Sequence, residues 1–158
     1  MNAFAAIKTY ANVEFESGVN GADPHSLVLM LYRGALLAIE QSKQYIQQNN
    51  VEGKNRSIKH ATAIIEQGLN ASLDKRVGGQ LAQNLGDLYE YMVQRLLVAN
   101  LKNDIGALDE VHRLLSELKE AWEGIGQQVK QMALAAPVVG TNRSAQVYGQ
   151  GFAAAAYR

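Results

Sequence analysis

The stretch from Leu108 to Met132, LDEVHRLLSELKEAWEGIGQQVKQM, contains the most regular apolar pattern in the chain. Its apolar residues recur at alternating steps of three and four: Leu108, Val111, Leu115, Leu118, Trp122, Ile125, Val129 and Met132. Such a heptad stripe is typical of a helix that buries one face against other helices. The stretch therefore predicts a long amphipathic helix and an all-α fold.

Three further helical patterns precede this stretch. The first begins at Asp23-Pro24, where Asp is a good N-cap and Pro suits the first helical position, and it fades in the polar residues 47–50. The second runs from about 51 to 73 and the third from about 80 to 101. Between these two, Gly78-Gly79 is a strong turn signal.

Short connections force neighbouring helices to run antiparallel. We therefore predict an antiparallel up-down four-helix bundle over residues 23–133. Residues 1–22 carry a short amphipathic pattern and a Gly-containing linker, which we interpret as an N-terminal cap segment. Residues 134–158 are rich in Ala, Gly and small polar residues and offer no periodic apolar face, so we expect a flexible tail.

Composition excludes several classes of protein. The 158 residues contain 15 Lys+Arg and 15 Asp+Glu, so the formal net charge is zero, unlike the basic surface of a nucleic-acid binder. There is no cysteine, which removes disulfides and thiolate metal sites. No apolar run reaches the roughly 20 residues of a membrane span, and no secretory signal precedes the first helix. We expect a cytoplasmic protein without stable membrane insertion.

No residue set predicts an enzyme, a metal site or a cofactor. His112 and Asp109 are three apart, but the heptad turns His112 away from the core and no second helix offers a matching pair. His60, a candidate phosphoryl acceptor, has neither a basic residue nor a glycine soon after it, so phosphotransfer is only a weak alternative. Gly78-Gly79 lacks the features of a phosphate-binding loop. The basic residues Lys54, Arg56 and Lys59 are interpreted as a solvated helix face.

The third helix has more apolar residues than one core stripe needs. In LYEYMVQRLLVANL (residues 88–101), the minimal stripe is Leu88, Met92, Leu96 and Ala99. The remaining apolar residues are Tyr89, Tyr91, Val93, Leu97, Val98 and Leu101. A helix that is apolar nearly all round is either buried or covers something. These residues either fill a wide core or a homodimer seam, or they form an exposed groove for an amphipathic segment of a partner.

At these residues the chain resembles the FliS family of flagellin-specific export chaperones. The strongest likeness is in the third helix: Gly78-Gly79, Ala82, Asn84-Leu85, Leu88-Tyr89, Tyr91-Met92, Arg95-Leu96, Ala99-Asn100 and Asn103-Asp104. Further matching runs include Pro24-His25, Met30-Leu31, Ile64-Ile65, Leu73-Asp74, Asp109-Glu110-Val111 and Ala121-Trp122. The likeness covers residues 4–126 in order.

The resemblance implies a cytoplasmic chaperone that binds the C-terminal segment of flagellin and prevents its premature polymerisation. It also implies delivery to the flagellar type III export gate, the FlhA cytoplasmic domain. By the same resemblance, Ile7 and Tyr10 are the apolar positions of a cap over the flagellin groove. The alternative is a homodimeric helical adaptor without flagellin-holding activity.

We predict the flagellin groove from residues at the edge of, or beside, the minimal core stripes of the second and third helices. They are Ile65, Leu69, Leu73, Leu85, Tyr89, Val93 and Leu97.

Overall fold

The computed structural model describes the backbone of residues 23–135 and the side chains of residues 23–128. This part of the chain forms four helices and no strand. They are α1 (Pro24–Gln47), α2 (Val51–Ala63), which continues into a π-helical segment (Ile64–Asn70), α3 (Lys75–Lys102) and α4 (Ile105–Ala135). The predicted all-α architecture is confirmed. The predicted cap, 1–22, lies outside the described residues, as does the predicted tail except for its first two positions, which end α4.

Capping side chains define where the helices begin. Asp23 accepts a hydrogen bond from the Ser26 backbone N–H at 2.7 Å, as its predicted N-cap role requires. Asn50 does the same for the Gly53 N–H at 2.9 Å, and Asp104 for the Ala107 N–H at 3.1 Å. These bonds satisfy backbone donors that have no partner within the helix. No described helix is long and apolar enough to cross a lipid bilayer.

The turns contain residues with positive φ. Asn49 (φ 55°) and Asn103 (φ 51°) adopt the left-handed conformation that Asn tolerates better than most residues. Gly79 has φ 56° and ψ −133°, which interrupts α3 at the predicted Gly78-Gly79 break. The sequence did not predict the short helical turn before Gly79, which begins at Lys75 and is capped by Asp74.

The helices form a closed ring around one core. Helix α1 packs against α2 and α4, and α3 packs against α4 and the π-helical segment. The predicted α4 seam is confirmed at Leu108, Val111, Leu115 and Trp122, which are buried. In α3, Met92, Leu96 and Ala99 are buried as predicted, but Tyr89 joins them and Leu88 is only partly buried.

The segment Ile64–Asn70 differs from the continuous α-helix predicted over 51–73. Two adjacent pairs of its residues are buried, Ile64-Ile65 and Gly68-Leu69, and the second pair follows the first by four positions. Gly68 permits a close approach to α1, because a Cβ there would lie 2.9 Å from Leu31 Cδ2. Single-turn π segments are frequent at functional sites, and this one faces α3.

Lys54 is not part of a solvated basic face, so that interpretation of residues 54–59 is wrong at this position. The residue is only 7% exposed, whereas Arg56 and Lys59 are exposed. Its Nζ donates hydrogen bonds to the Asn100 carbonyl oxygen at 2.9 Å and to Asn103 Oδ1 at 2.8 Å. The ammonium group thus joins α2 to the C-terminal end of α3, where a positive charge is favourable.

Replacing Lys54 with methionine should lower the free energy of unfolding by about 1.5–3 kcal/mol, because the two charge-assisted hydrogen bonds are lost. The matched control is Lys59→Met on the exposed side of α2, with an expected change within about 0.5 kcal/mol. Urea denaturation of both variants measures the difference. Equal stability of the two variants would show that the Lys54 contacts contribute nothing net.

Candidate functional site

Val93, Leu97 and Leu101 form an apolar stripe along α3. Residues four apart on a helix lie one above the other on the same face. Val93 is partly buried, Leu97 is 58% exposed and Leu101 is 75% exposed. We call these three residues the α3 stripe. Their exposure increases toward the C-terminal end of the helix.

An open cavity lies between the π-helical segment and α3, at the Val93 end of the α3 stripe. Its volume is about 340 Å³. Glu66 and Asn70 line it from the π-helical segment. Four residues of α3 complete the lining: Tyr89, Glu90, Val93 and Gln94. We call this space the α3 cavity. It combines apolar side chains with two carboxylates and two amides.

The seven predicted groove residues fall into three groups. Leu97 is exposed, and Leu73, Leu85 and Val93 are partly buried against the core. The remaining three, Ile65, Leu69 and Tyr89, have no exposed surface. Of the seven, Tyr89 and Val93 line the α3 cavity. The Tyr89 hydroxyl lies 2.7 Å from the Tyr32 hydroxyl, so this side chain is held between α3 and α1.

Sequence reasoning missed the polar lining of the α3 cavity. The sequence analysis assigned no role to the polar residues of this lining, which are Glu66, Asn70, Glu90 and Gln94. Glu90 and Gln94 are four apart, which placed them on one face, but nothing local linked that face to residues 66 and 70. Leu101 was recognised as surplus apolar surface, although the predicted groove ended at Leu97.

Tyr91 belongs to a different surface, where α3 meets α4. Its hydroxyl donates to Glu110 Oε1 at 2.6 Å, and Arg95 Nε donates to the same oxygen at 2.9 Å. The hydrogen bond from Tyr91 is the main cause of a lowered pKa of Glu110, and the hydrogen bond from Arg95 lowers this pKa further. The same hydrogen bond between Tyr91 and Glu110 raises the pKa of Tyr91. Because the pKa of Glu110 is lowered on folding, this interaction stabilises the fold above the ordinary glutamate range and is lost as the pH falls.

A second polar cluster joins α1 to α4 and includes residues considered for metal binding. Lys43 Nζ lies 2.8 Å from Asp109 Oδ1 and 3.0 Å from Glu40 Oε1. The hydrogen bond to Asp109 has the largest effect on the pKa of Lys43, and it and the hydrogen bond to Glu40 both raise that pKa. His112 Nε2 lies 3.2 Å from Glu40 Oε1. Asp109 therefore faces Lys43, and His112 faces Glu40, across the contact between α1 and α4. His60 is an exposed residue of α2.

The fold and these surfaces define a class of protein: a small helical bundle that presents an apolar stripe beside an open, partly polar cavity. Within that class, the chain belongs to the FliS family, because the family model described as "Flagellar protein FliS" matches residues 6–129.

Three relatives illustrate the likeness. The flagellar secretion chaperone FliS of Salmonella typhimurium is 45% identical over 125 residues, covering 79% of this chain and 93% of the relative. The protein of the same name in Escherichia coli is 43% identical, covering 78% of this chain and 90% of the relative. The flagellar secretion chaperone FliSB of Pseudomonas aeruginosa is 42% identical, covering 79% and 98%.

Proposed function

We propose that this chain is a cytoplasmic export chaperone that binds the disordered C-terminal segment of flagellin and prevents its premature polymerisation. It then delivers flagellin to the flagellar type III export apparatus, with the FlhA cytoplasmic domain as the receiving partner. Family membership and the names of the relatives support the export role. The observation that carries flagellin binding is the exposed α3 stripe beside the α3 cavity.

The physical basis is coupled folding and binding. Ordering a disordered segment costs about 2–5 kcal/mol, which the interactions with its partner must exceed. Such interfaces bury about 1,000–3,000 Å² of surface. An amphipathic segment that lays its apolar face on the α3 stripe removes Leu97 and Leu101 from water and contributes part of that area. Contacts spread over several helices supply the rest.

The seven groove residues have different parts in this proposal. Leu97 and Val93 contact the bound segment directly, together with Leu101. Leu73 and Leu85 contribute their exposed edges. The buried residues, Ile65, Leu69 and Tyr89, form the layer beneath and hold the surface in shape. Ile7 and Tyr10, which lie outside the described residues, are proposed as the cap over this surface when no flagellin is bound.

Replacing Val93 or Leu97 with glutamate should weaken binding of a flagellin C-terminal peptide about tenfold or more. A charge buried against an apolar partner without a counterion costs more than the 1.4 kcal/mol that corresponds to a factor of ten. The matched control is Leu37→Glu on α1, because Leu37 is 61% exposed but lies outside this surface. Titration calorimetry measures the affinity, and circular dichroism checks that each variant keeps its helices.

Two outcomes would contradict the proposal. Unchanged affinity of both α3 variants would show that the stripe does not contact flagellin. A tight homodimer that ignores the peptide, detected by sedimentation of the wild-type protein with and without it, would favour the helical adaptor instead.

A further inference from the structure

The α3 cavity contains oxygen atoms that lack partners. No described residue forms an ion pair with the carboxylate of Glu66 or of Glu90. The Oδ1 atom of Asn70 is buried without a hydrogen-bond partner in the described part of the chain. The two carboxylates are exposed acceptors, so the ligand they favour is a hydrogen-bond donor that carries a positive charge.

Among the described residues, none with a cationic side chain lines this cavity. The amine of Lys75 lies nearby at Gly86, where an added Cβ would be 3.4 Å from both Lys75 Nζ and Asn70 Oδ1. Lys75 nevertheless pairs with neither Glu66 nor Glu90. The lining therefore keeps a negative charge that nothing in residues 23–128 neutralises by direct contact.

The shape of the cavity selects the kind of cation. A volume of about 340 Å³ is at the lower end of ligand clefts, which span about 300–1,000 Å³, so it suits one side chain. Val93, which is partly buried, offers apolar surface, and the carboxylates belong to exposed residues. Lysine and arginine side chains suit a site with apolar walls and exposed carboxylates, because their stems pack on apolar surface while their charged ends stay near water. No three His, Asp or Glu side chains of the described chain cluster as metal ligands would.

The position of the cavity indicates where that side chain comes from. Val93 belongs both to the α3 cavity and to the α3 stripe. A segment bound along the stripe therefore passes the mouth of the cavity and can insert one side chain into it. Within a complex held mainly by apolar contacts, a single charged subsite fixes the register of the bound segment.

We infer that the α3 cavity is a subsite that takes one lysine or arginine side chain of the bound segment, with Glu66 and Glu90 as its charge partners. This inference rests on the proposed function, since the occupant is placed on a segment bound to the α3 stripe. The charged contact fixes the register of the bound segment and selects a segment that carries a positive side chain at this position.

The first test measures binding of a flagellin C-terminal peptide to the full chain. Glu66→Gln combined with Glu90→Gln should weaken binding about tenfold and reduce the loss of affinity with added salt. Glu120→Gln is the matched control: it makes the same change at an exposed α4 carboxylate without an ion pair. If wild type binds the peptide and the double variant binds equally well, the subsite is overturned and the proposed function stands. Failure of wild type to bind overturns the proposed function.

The second test does not depend on flagellin. N-acetyl-arginine amide, titrated into the isotope-labelled full chain, should cause saturable shifts of the backbone amides of Glu66, Glu90 and Val93. The uncharged citrulline analogue and the double variant should show none. Absence of saturable shifts with wild type would overturn the subsite whatever the peptide does.

Discussion

Replacing Leu96 with alanine should lower the free energy of unfolding by about 2–5 kcal/mol, the range for removing a buried leucine. The same replacement at the next residue, Leu97, should change it by no more than about 0.5 kcal/mol. The two side chains are chemically identical and share a helix. Leu96 has no exposed surface, whereas Leu97 is 58% exposed. Truncation of Leu96 therefore leaves a cavity in the core, and truncation of Leu97 does not.

The pair also separates folding from binding. Urea denaturation followed by circular dichroism gives the free energy of unfolding of each variant. In the binding assay, Leu97→Ala should weaken binding of the flagellin peptide although its stability is unchanged, because Leu97 belongs to the α3 stripe. Similar losses of stability in both variants would mean that Leu97 is part of the core and that the stripe is misassigned.

Two glycines of α4 should respond in opposite directions to alanine. Gly126→Ala should lower the free energy of unfolding by about 1–3 kcal/mol, as expected for overpacking. The added Cβ would lie 2.9 Å from His25 Nδ1 and closer still to Cε1 and Nε2 of the same ring. Gly124→Ala should raise the free energy of unfolding by up to about 1 kcal/mol, since its Cβ would meet nothing within 4 Å and alanine favours the helix.

The reason for the loss at Gly126 is the contact between α1 and α4 that the His25 ring makes. This ring stacks on the Trp122 indole with centroids 4.9 Å apart. Its Nε2 donates to the Trp122 carbonyl oxygen at 2.6 Å, and Trp122 Nε1 donates to the His25 carbonyl oxygen at 2.9 Å. Displacing the ring disturbs these interactions.

Trp122 is the single tryptophan of the chain, so its fluorescence reports on this contact directly. We expect a shifted emission spectrum for Gly126→Ala and an unchanged one for Gly124→Ala. A Gly126→Ala protein as stable as Gly124→Ala, with the spectrum of wild type, would show that the ring moves aside without cost.

The local signals in the sequence were sufficient for the helices and their ends. Asp23 caps α1, Gly79 interrupts α3, and the heptad of α4 is buried at Leu108, Val111 and Leu115. Each of these features depends on residues within a few positions of one another. Caps and turns depend on backbone preferences and hydrogen bonds between these neighbours, and the heptad spacing determines which face of α4 is apolar.

The orientation of α3 was only partly predictable. Its apolar residues cover much of the helix, and the prediction placed Leu88 in the core stripe and Tyr89 in the groove. The structure buries Tyr89, whose hydroxyl contacts Tyr32, and leaves Leu88 partly exposed. Tyr91, counted among the surplus apolar residues, instead donates to Glu110 on α4. A broad apolar arc does not by itself determine which of its residues faces the core.

By itself, then, the sequence determined the four helices, their caps and turns, the family and the presence of surplus apolar surface on α3. Tertiary structure alone decided that Lys54 is buried against the end of α3, that the second helix widens into a π-helical segment, and that Glu66 and Asn70 share one cavity with Glu90 and Gln94. The physical reason is the range of the interactions. Helix formation and capping act between neighbours in the chain, whereas burial and the meeting of side chains from different helices depend on how those helices pack.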